Sequence, residues 1–172
     1  SACEKGGQRE EAFELFEALQ RRGLDPDVIT FSALISVCER TGNHERARTM
    51  FIDARDSGCY PELCSVHGDV HLHGLSAPVA RTAVRIALAD RLRRRPEDRQ
   101  LPSLPSEGNL GIITGPSVDS EVSLRLAILG LLRDEYGELE CFQDLQNPAR
   151  LVVTEQSLCD WATQQKAEDD SD

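Results

Sequence analysis

Apolar residues come in two rhythms along this chain. Phe31, Leu34, Ile35 and Cys38 recur at the three-and-four spacing of a helix, and Ala47, Met50, Phe51 and Ala54 repeat that stripe after a Gly42-Asn43 break. This pattern predicts a helical hairpin, ended by Gly58 as a C′ residue and by Pro61, which forbids continuation. After a hinge at 63–67 the period changes. In VHLHGLS, Val70 and Leu72 alternate with Asp69, His71 and His73, which predicts a strand with one apolar and one polar face. Gly74 breaks that strand, and Ser76 opens a helix over 77–95 with Ala80, Ala83, Val84, Ala87, Leu88 and Leu92 on one side. A polar, proline-containing loop fills 96–109, and LGIIT at 110–114 reads as a short buried strand. Gly115-Pro116-Ser117 turns into a helix over 121–136, with Val122, Leu126, Leu129 and Leu132 expected inward. Strands at 139–142 and 151–153, joined through Asn147-Pro148, precede a closing helix over 155–165 that carries Leu158 and Trp161.

The helical part is an internal repeat. Residues 1–27 laid over 36–62, an offset of 35, give nine identities without a gap, among them Cys3/Cys38, Gly7/Gly42, Phe16/Phe51 and Pro26/Pro61. One hairpin cannot hide its own apolar face, whereas stacked copies can, so the repeat predicts an α-solenoid. The first copy lacks most of its leading helix, and the expectation is that at least one more repeat precedes it.

The second half alternates strand and helix, which predicts a crossover with parallel strands. The turns at 73–76 and 114–120 then leave the sheet at one edge, where ligands of such sheets bind. Backbone N–H groups with Ser117 and Ser120 at a helix start would form an anion site there.

Charge alters this picture only in part. The formal net charge is −11, awkward for a phosphate-binding surface, with 8 Lys and Arg against 12 Asp and Glu in 1–62. The tail 166–172, KAEDDSD, reads as a disordered acidic end. Positive charge gathers at Arg91, Arg93, Arg94, Arg95 and Arg99. It either offsets the negative end of a helix dipole or contacts phosphate, and the sequence supports both accounts equally. Six cysteines fall at no metal-ligand spacing and read as buried reduced thiols. No apolar run approaches bilayer length. The chain opens in mid-pattern without Met, as an excised C-terminal piece would.

The period, the register VITFSALISVCERTGNHERARTMF and the closing GLDPD and GCYPE resemble pentatricopeptide repeats, with a partial repeat at 1–27 and a complete one at 28–62. The resemblance implies that single-stranded RNA is read one base per repeat by the fifth and last residues, with the second residue wedging against the base. Those positions are Ser32, Glu62 and Ile29; Asp27 closes the partial repeat. Ser followed by Asp or Asn would lean towards a purine, and Glu62 departs from that pattern, so no base is assigned.

With VHLHGLS, ITGPS and NPARLVV in order, residues 63–165 resemble an Smr (small MutS-related) domain, which implies a two-layer βαβαββα α/β fold. Some Smr domains cut DNA or RNA through a Leu-Asp-x-His-Gly stretch and a (His/Thr)-Gly-x-Gly loop. His73, Gly74, Thr114 and Gly115 match; His71 replaces the Asp, Pro116 follows Gly115, and Ser117 replaces the last Gly. Asp69, one step earlier on the same strand face, is the candidate substitute carboxylate.

Three accounts of His67, Asp69, His71 and His73 follow. A zinc site lacks a specified fourth ligand, a nuclease centre is damaged, and a nucleic-acid contact surface needs nothing more. The last ranks first. The expectation is a fragment of an organellar RNA-binding protein acting in transcript processing, stability or translation in a plastid or mitochondrion. Arg93, Arg94, Arg95, Thr114, Gly115, Ser117 and Ser120 join the repeat positions as nucleic-acid contacts. The alternative is an RNA endonuclease guided by the repeats, with His73, His71 and Asp69 as candidate catalytic groups. A third reading, favoured by the acidity, is a protein-docking module. DNA and organellar proteins are secondary partners, no membrane is implied, and no metal or cofactor is expected unless magnesium serves a nuclease.

Overall fold

A computed structural model describes residues 2–61, 63, 69–93, 109–115, 119–137 and 139–169, with side chains described at 10–19, 21–61, 63, 69–93, 109–115, 124–137 and 139–165. Glu62, Cys64, His67, Arg94, Arg95, Arg99, Pro116, Ser117 and all but the last residue of the expected loop at 96–109 lie outside the described residues, as do the side chains of Cys3 and Ser120. Contacts divide the chain into two compact units: residues 1–61 with 78–83, and residues 62–77 with 84–172.

The first unit begins with α1 (Ala2–Arg21), followed by α2 (Val28–Arg40) and α3 (His44–Asp56). Asp27 caps α2 by accepting from Thr30 N at 2.8 Å, and Asn43 caps α3 by accepting from Arg46 N at 3.1 Å. The stripes predicted from periodicity face inward: Phe31, Leu34, Ile35 and Cys38 on α2, and Ala47, Met50, Phe51 and Ala54 on α3, are all buried. The Phe16 ring meets Phe31 edge-on at 5.7 Å, and the Arg46 guanidinium lies 3.6 Å from the centre of the Phe13 ring. One expectation changes. α1 runs through Gly6 and Gly7, so the turn made at Gly42-Asn43 has no counterpart there. Glu39, with its side chain 6% exposed, accepts from Thr82 Oγ1 at 2.8 Å inside this unit.

The second unit holds a four-stranded sheet in the order β1-β2-β4-β3, formed by β1 (Val70–His71), β2 (Leu110–Ile113), β3 (Cys141–Gln143) and β4 (Arg150–Val153). β1 and β2 pair in parallel, with Val70 opposite Ile112, as the predicted crossover requires. β4 is antiparallel to both of its neighbours. Val70, Leu72, Leu110, Ile112, Leu151 and Val153 alternate onto one buried face. The helices are α4 (Ala77–Arg93), of which residues 78–83 group with the first unit, α5 (Asp119–Tyr136) and α6 (Glu155–Asp169), so the element order from β1 onward is βαβαββα. Among the described residues no helix is long and apolar enough to cross a membrane.

Three details depart from the sequence reading. The stripe on α5 is Leu124, Ile128, Leu131 and Leu132, while Leu126 is 62% exposed. In LRLAILGLL apolar residues occupy nearly every position, so spacing alone does not select the face. α6 continues to Asp169, into the stretch read as a disordered tail. Cys38 is buried, but Cys59, Cys141 and Cys159 are only half-buried.

Candidate nucleic-acid interface

On the hairpin, Ile29 and Ser32 lie three residues apart on α2, on the side away from its buried stripe. Ile29 is 74% exposed, unlike the apolar residues of the stripe. Ser32 is half-buried, and its hydroxyl lies 3.1 Å from the phenol oxygen of Tyr60. Tyr60 is buried and stacked on Phe51, with ring centres 5.4 Å apart. Burial pushes the Tyr60 phenol pKa above its ordinary value, so the group keeps its proton at neutral pH. Asp27 has a second occupation. Its Oδ1 accepts from both Thr30 N and Thr30 Oγ1, and the side-chain bond leads in holding its pKa below the usual carboxylate value.

In the second unit, parallel pairing brings the chain out of β1 and of β2 at the same end of the sheet. His71 remains on the strand, whereas His73 stands in the turn beyond it, with ring centres 6.3 Å apart. Gly74 adopts a φ of +76° and Gly115 one of +98°, left-handed backbone that a side chain would strain. The turn before β4 joins this end, because Arg150 pairs with Ile113 and Thr114 N donates to Ala149 O at 2.9 Å. Arg125 fastens that turn from α5, donating to Pro148 O at 3.1 Å and to Gln143 Oε1 at 2.8 Å.

Two candidates prove to be committed inside the fold. Thr114, expected at the polar edge, is 3% exposed, and its hydroxyl donates to Ala149 O at 3.2 Å. Asp69, the candidate substitute carboxylate, receives Arg150 Nε on Oδ2 and Arg150 Nη2 on Oδ1, both at 3.0 Å. Arg150 also donates to Asp144 Oδ2 at 2.8 Å. Asp69 raises the guanidinium pKa further, against the effect of burial, and Asp144 adds to this. Backbone N–H donation from Gln146, with Arg150 next, holds the Asp144 carboxyl below its usual value. The two carboxylates and one guanidinium therefore brace the sheet. Both oxygens of Asp69 are engaged by Arg150, whose positive charge opposes a cation beside them, which weakens its candidacy for metal-assisted cleavage.

Gly111 explains how the brace fits. The register sets it beside Asp69, and a Cβ there would fall on Asp69 Oδ1, 2.5 Å from its Cγ and 2.6 Å from Arg150 Nε. A glycine inside a short apolar strand signals such a close approach, and it was the available sequence clue to this pair. Tyr60 and Arg150, both missed from sequence, are brought to their partners by contacts 28 and 81 residues apart.

Arg93 is exposed at the end of α4, with Asp90 at 3.9 Å. Ser120 is described only as backbone in the first turn of α5. Among the described residues no three His, Cys, Asp or Glu side chains gather to hold a metal.

Comparison with known proteins bears on the first unit. The family described as pentatricopeptide repeat domain matches residues 14–66, and the PPR repeat family matches residues 1–24. Among curated proteins the chain is similar to pentatricopeptide repeat-containing protein At2g02750 of Arabidopsis thaliana, 26% identical over 170 residues, covering 90% of this chain and 25% of the relative. It is also similar to pentatricopeptide repeat-containing protein At1g03540 of the same plant, 28% identical over 128 residues, covering 74% of this chain and 19% of the relative. The chain thus spans a quarter or less of the length of these relatives. The helical unit at its start is built of pentatricopeptide repeats.

Proposed function

We propose that this chain is part of an RNA-binding protein of plastids or mitochondria, whose repeats contact single-stranded RNA and whose α/β unit, read as Smr-like, adds a second contact. Its role on this reading is in transcript processing, stability or translation. The carrying observation is Ile29. An isoleucine left 74% exposed beside Ser32, on a helix whose other large apolar groups are mostly buried, offers a wedge for a base. The polar turns at Gly74 and Gly115 leave neighbouring parallel strands and supply the second surface.

The test is binding of the purified chain to single-stranded RNA across a salt series. Log affinity should fall with log salt, and replacing Arg93, Arg94 and Arg95 with alanine should flatten the slope by about 2, at ~0.7 per lost phosphate contact. Ile29→Ala should weaken binding several-fold while changing stability by less than about 0.5 kcal/mol, as expected for an exposed site. No binding to any RNA at low salt refutes the proposal and shifts weight to protein docking.

A second reading, an RNA endonuclease, draws on the convergence of His71, His73 and the Gly115 turn at one end of the sheet. It requires RNA cleavage that His73→Ala abolishes, and the occupation of Asp69 by Arg150 counts against its magnesium-dependent form.

A further inference from the structure

Helical serines and threonines commonly turn their hydroxyl onto the carbonyl four residues back. Several here do so: Ser36 bonds Ser32 O at 2.7 Å, Thr49 bonds Glu45 O at 3.1 Å, and Thr163 bonds Cys159 O at 2.8 Å. Ser32, one turn before Ser36, does not follow them. Its described hydrogen bond through Oγ is to Tyr60 at 3.1 Å, in place of one to Val28 O. The phenol that draws it is rigid, being 7% exposed and stacked on Phe51 with 15° between the ring planes. It keeps its proton and, as a hydroxyl, can either donate or accept.

We propose that Tyr60 is a positioning residue for Ser32: it holds the hydroxyl off the helix backbone and makes it available to a base. When Tyr60 donates, the Ser32 proton is released towards a base acceptor; when Tyr60 accepts, a Ser32 lone pair faces a base donor. Without the phenol oxygen, Ser32 falls back on Val28 O as its neighbours do, and its proton is spent inside the helix. This inference rests on the RNA reading above and extends it to a residue outside the two reading positions of the repeat.

The experiment measures affinities of the whole chain for oligo(U), oligo(A) and oligo(C), and takes the ratio of best to worst. Tyr60→Phe keeps the ring stack and removes one oxygen; Ser32→Ala removes the reader itself. The expected result is that each variant narrows the ratio by roughly fivefold, the equivalent of one hydrogen bond, and that the double variant narrows it no further. Thermal melting of the Tyr60→Phe protein checks that the hairpin remains folded. If Ser32→Ala narrows the ratio and Tyr60→Phe leaves it at the parental value, Tyr60 only packs and the inference is overturned. If neither variant changes the ratio while RNA is still bound, Ser32 reads no base, and the positioning role falls with it. If the parent binds no RNA, the functional reading itself is refuted and this inference with it.

Discussion

Replacing Gly111 with alanine tests whether the Asp69–Arg150–Asp144 brace holds the sheet together. The added methyl would occupy the space of Asp69 Oδ1 and lie 2.6 Å from Arg150 Nε, so the two-point ion pair must open or β2 must shift. Overpacking costs ~1–3 kcal/mol, and separating a buried charge pair costs ~3–5 kcal/mol. Both side chains keep some solvent contact, 19% for Arg150 and 16% for Asp69, so water can take up part of the second term. A loss of about 2–4 kcal/mol follows, with a fall of at least ~8 °C in the melting midpoint of a unit near 100 residues. Trp161 is the chain's one tryptophan and contacts Tyr136 in the same unit, so its fluorescence in a urea titration follows this unit directly. The control is the same change in an Asp69→Ala/Arg150→Ala background. With the obstruction removed, Gly111→Ala should cost less than ~1 kcal/mol, because alanine loses less chain entropy than glycine in a strand. An equal cost in both backgrounds, or a parental melt for the single variant, refutes the close-packed brace.

Two further measurements address individual groups. Burial pushes the Cys141 thiol from 9.0 up to about 11, which leaves about one-hundredth of the usual thiolate, so its alkylation at pH 8 should be about 100-fold slower than that of free cysteine; a rate near that of free cysteine would contradict its packing. Asp144 titrates below 3.8 in the folded chain, so its contribution to stability is present above that pH and is lost as pH falls through the lower folded value. Acid unfolding below pH 4, followed at Trp161, should therefore be less steep in Asp144→Asn, and an unchanged acid limb would argue against the Gln146 and Arg150 contacts together.

Local order along the chain was legible because periodicity records it. The α2–α3 hairpin, with Asn43 in its turn and Gly58 just past its end, follows from spacing and turn chemistry over about 30 residues. The parallel β1–β2 pair followed from the alternation of strand and helix. Side-chain partnerships were not legible in the same way. Asp69 next to two histidines reads as chemistry until Arg150, 81 residues later, occupies both of its oxygens. Thr114 reads as an edge residue until the β4 turn covers it. Ser32 reads as a surface position of α2 until the phenol 3.1 Å from its hydroxyl is seen, and that phenol comes from the segment after α3, where a tyrosine between Cys59 and Pro61 carries no periodic signal.

The strand order has a bearing on how the polypeptide is made. β4, the last strand to leave the ribosome, lies between two earlier ones, so β2 and β3 have no shared partner until residue 153 has been synthesised. The helical hairpin needs only its own neighbours and can consolidate while translation continues. A nascent chain therefore carries a helical hairpin that can already pack alongside a sheet still waiting for the strand between β2 and β3, and the arrival of β4 determines whether the second unit folds.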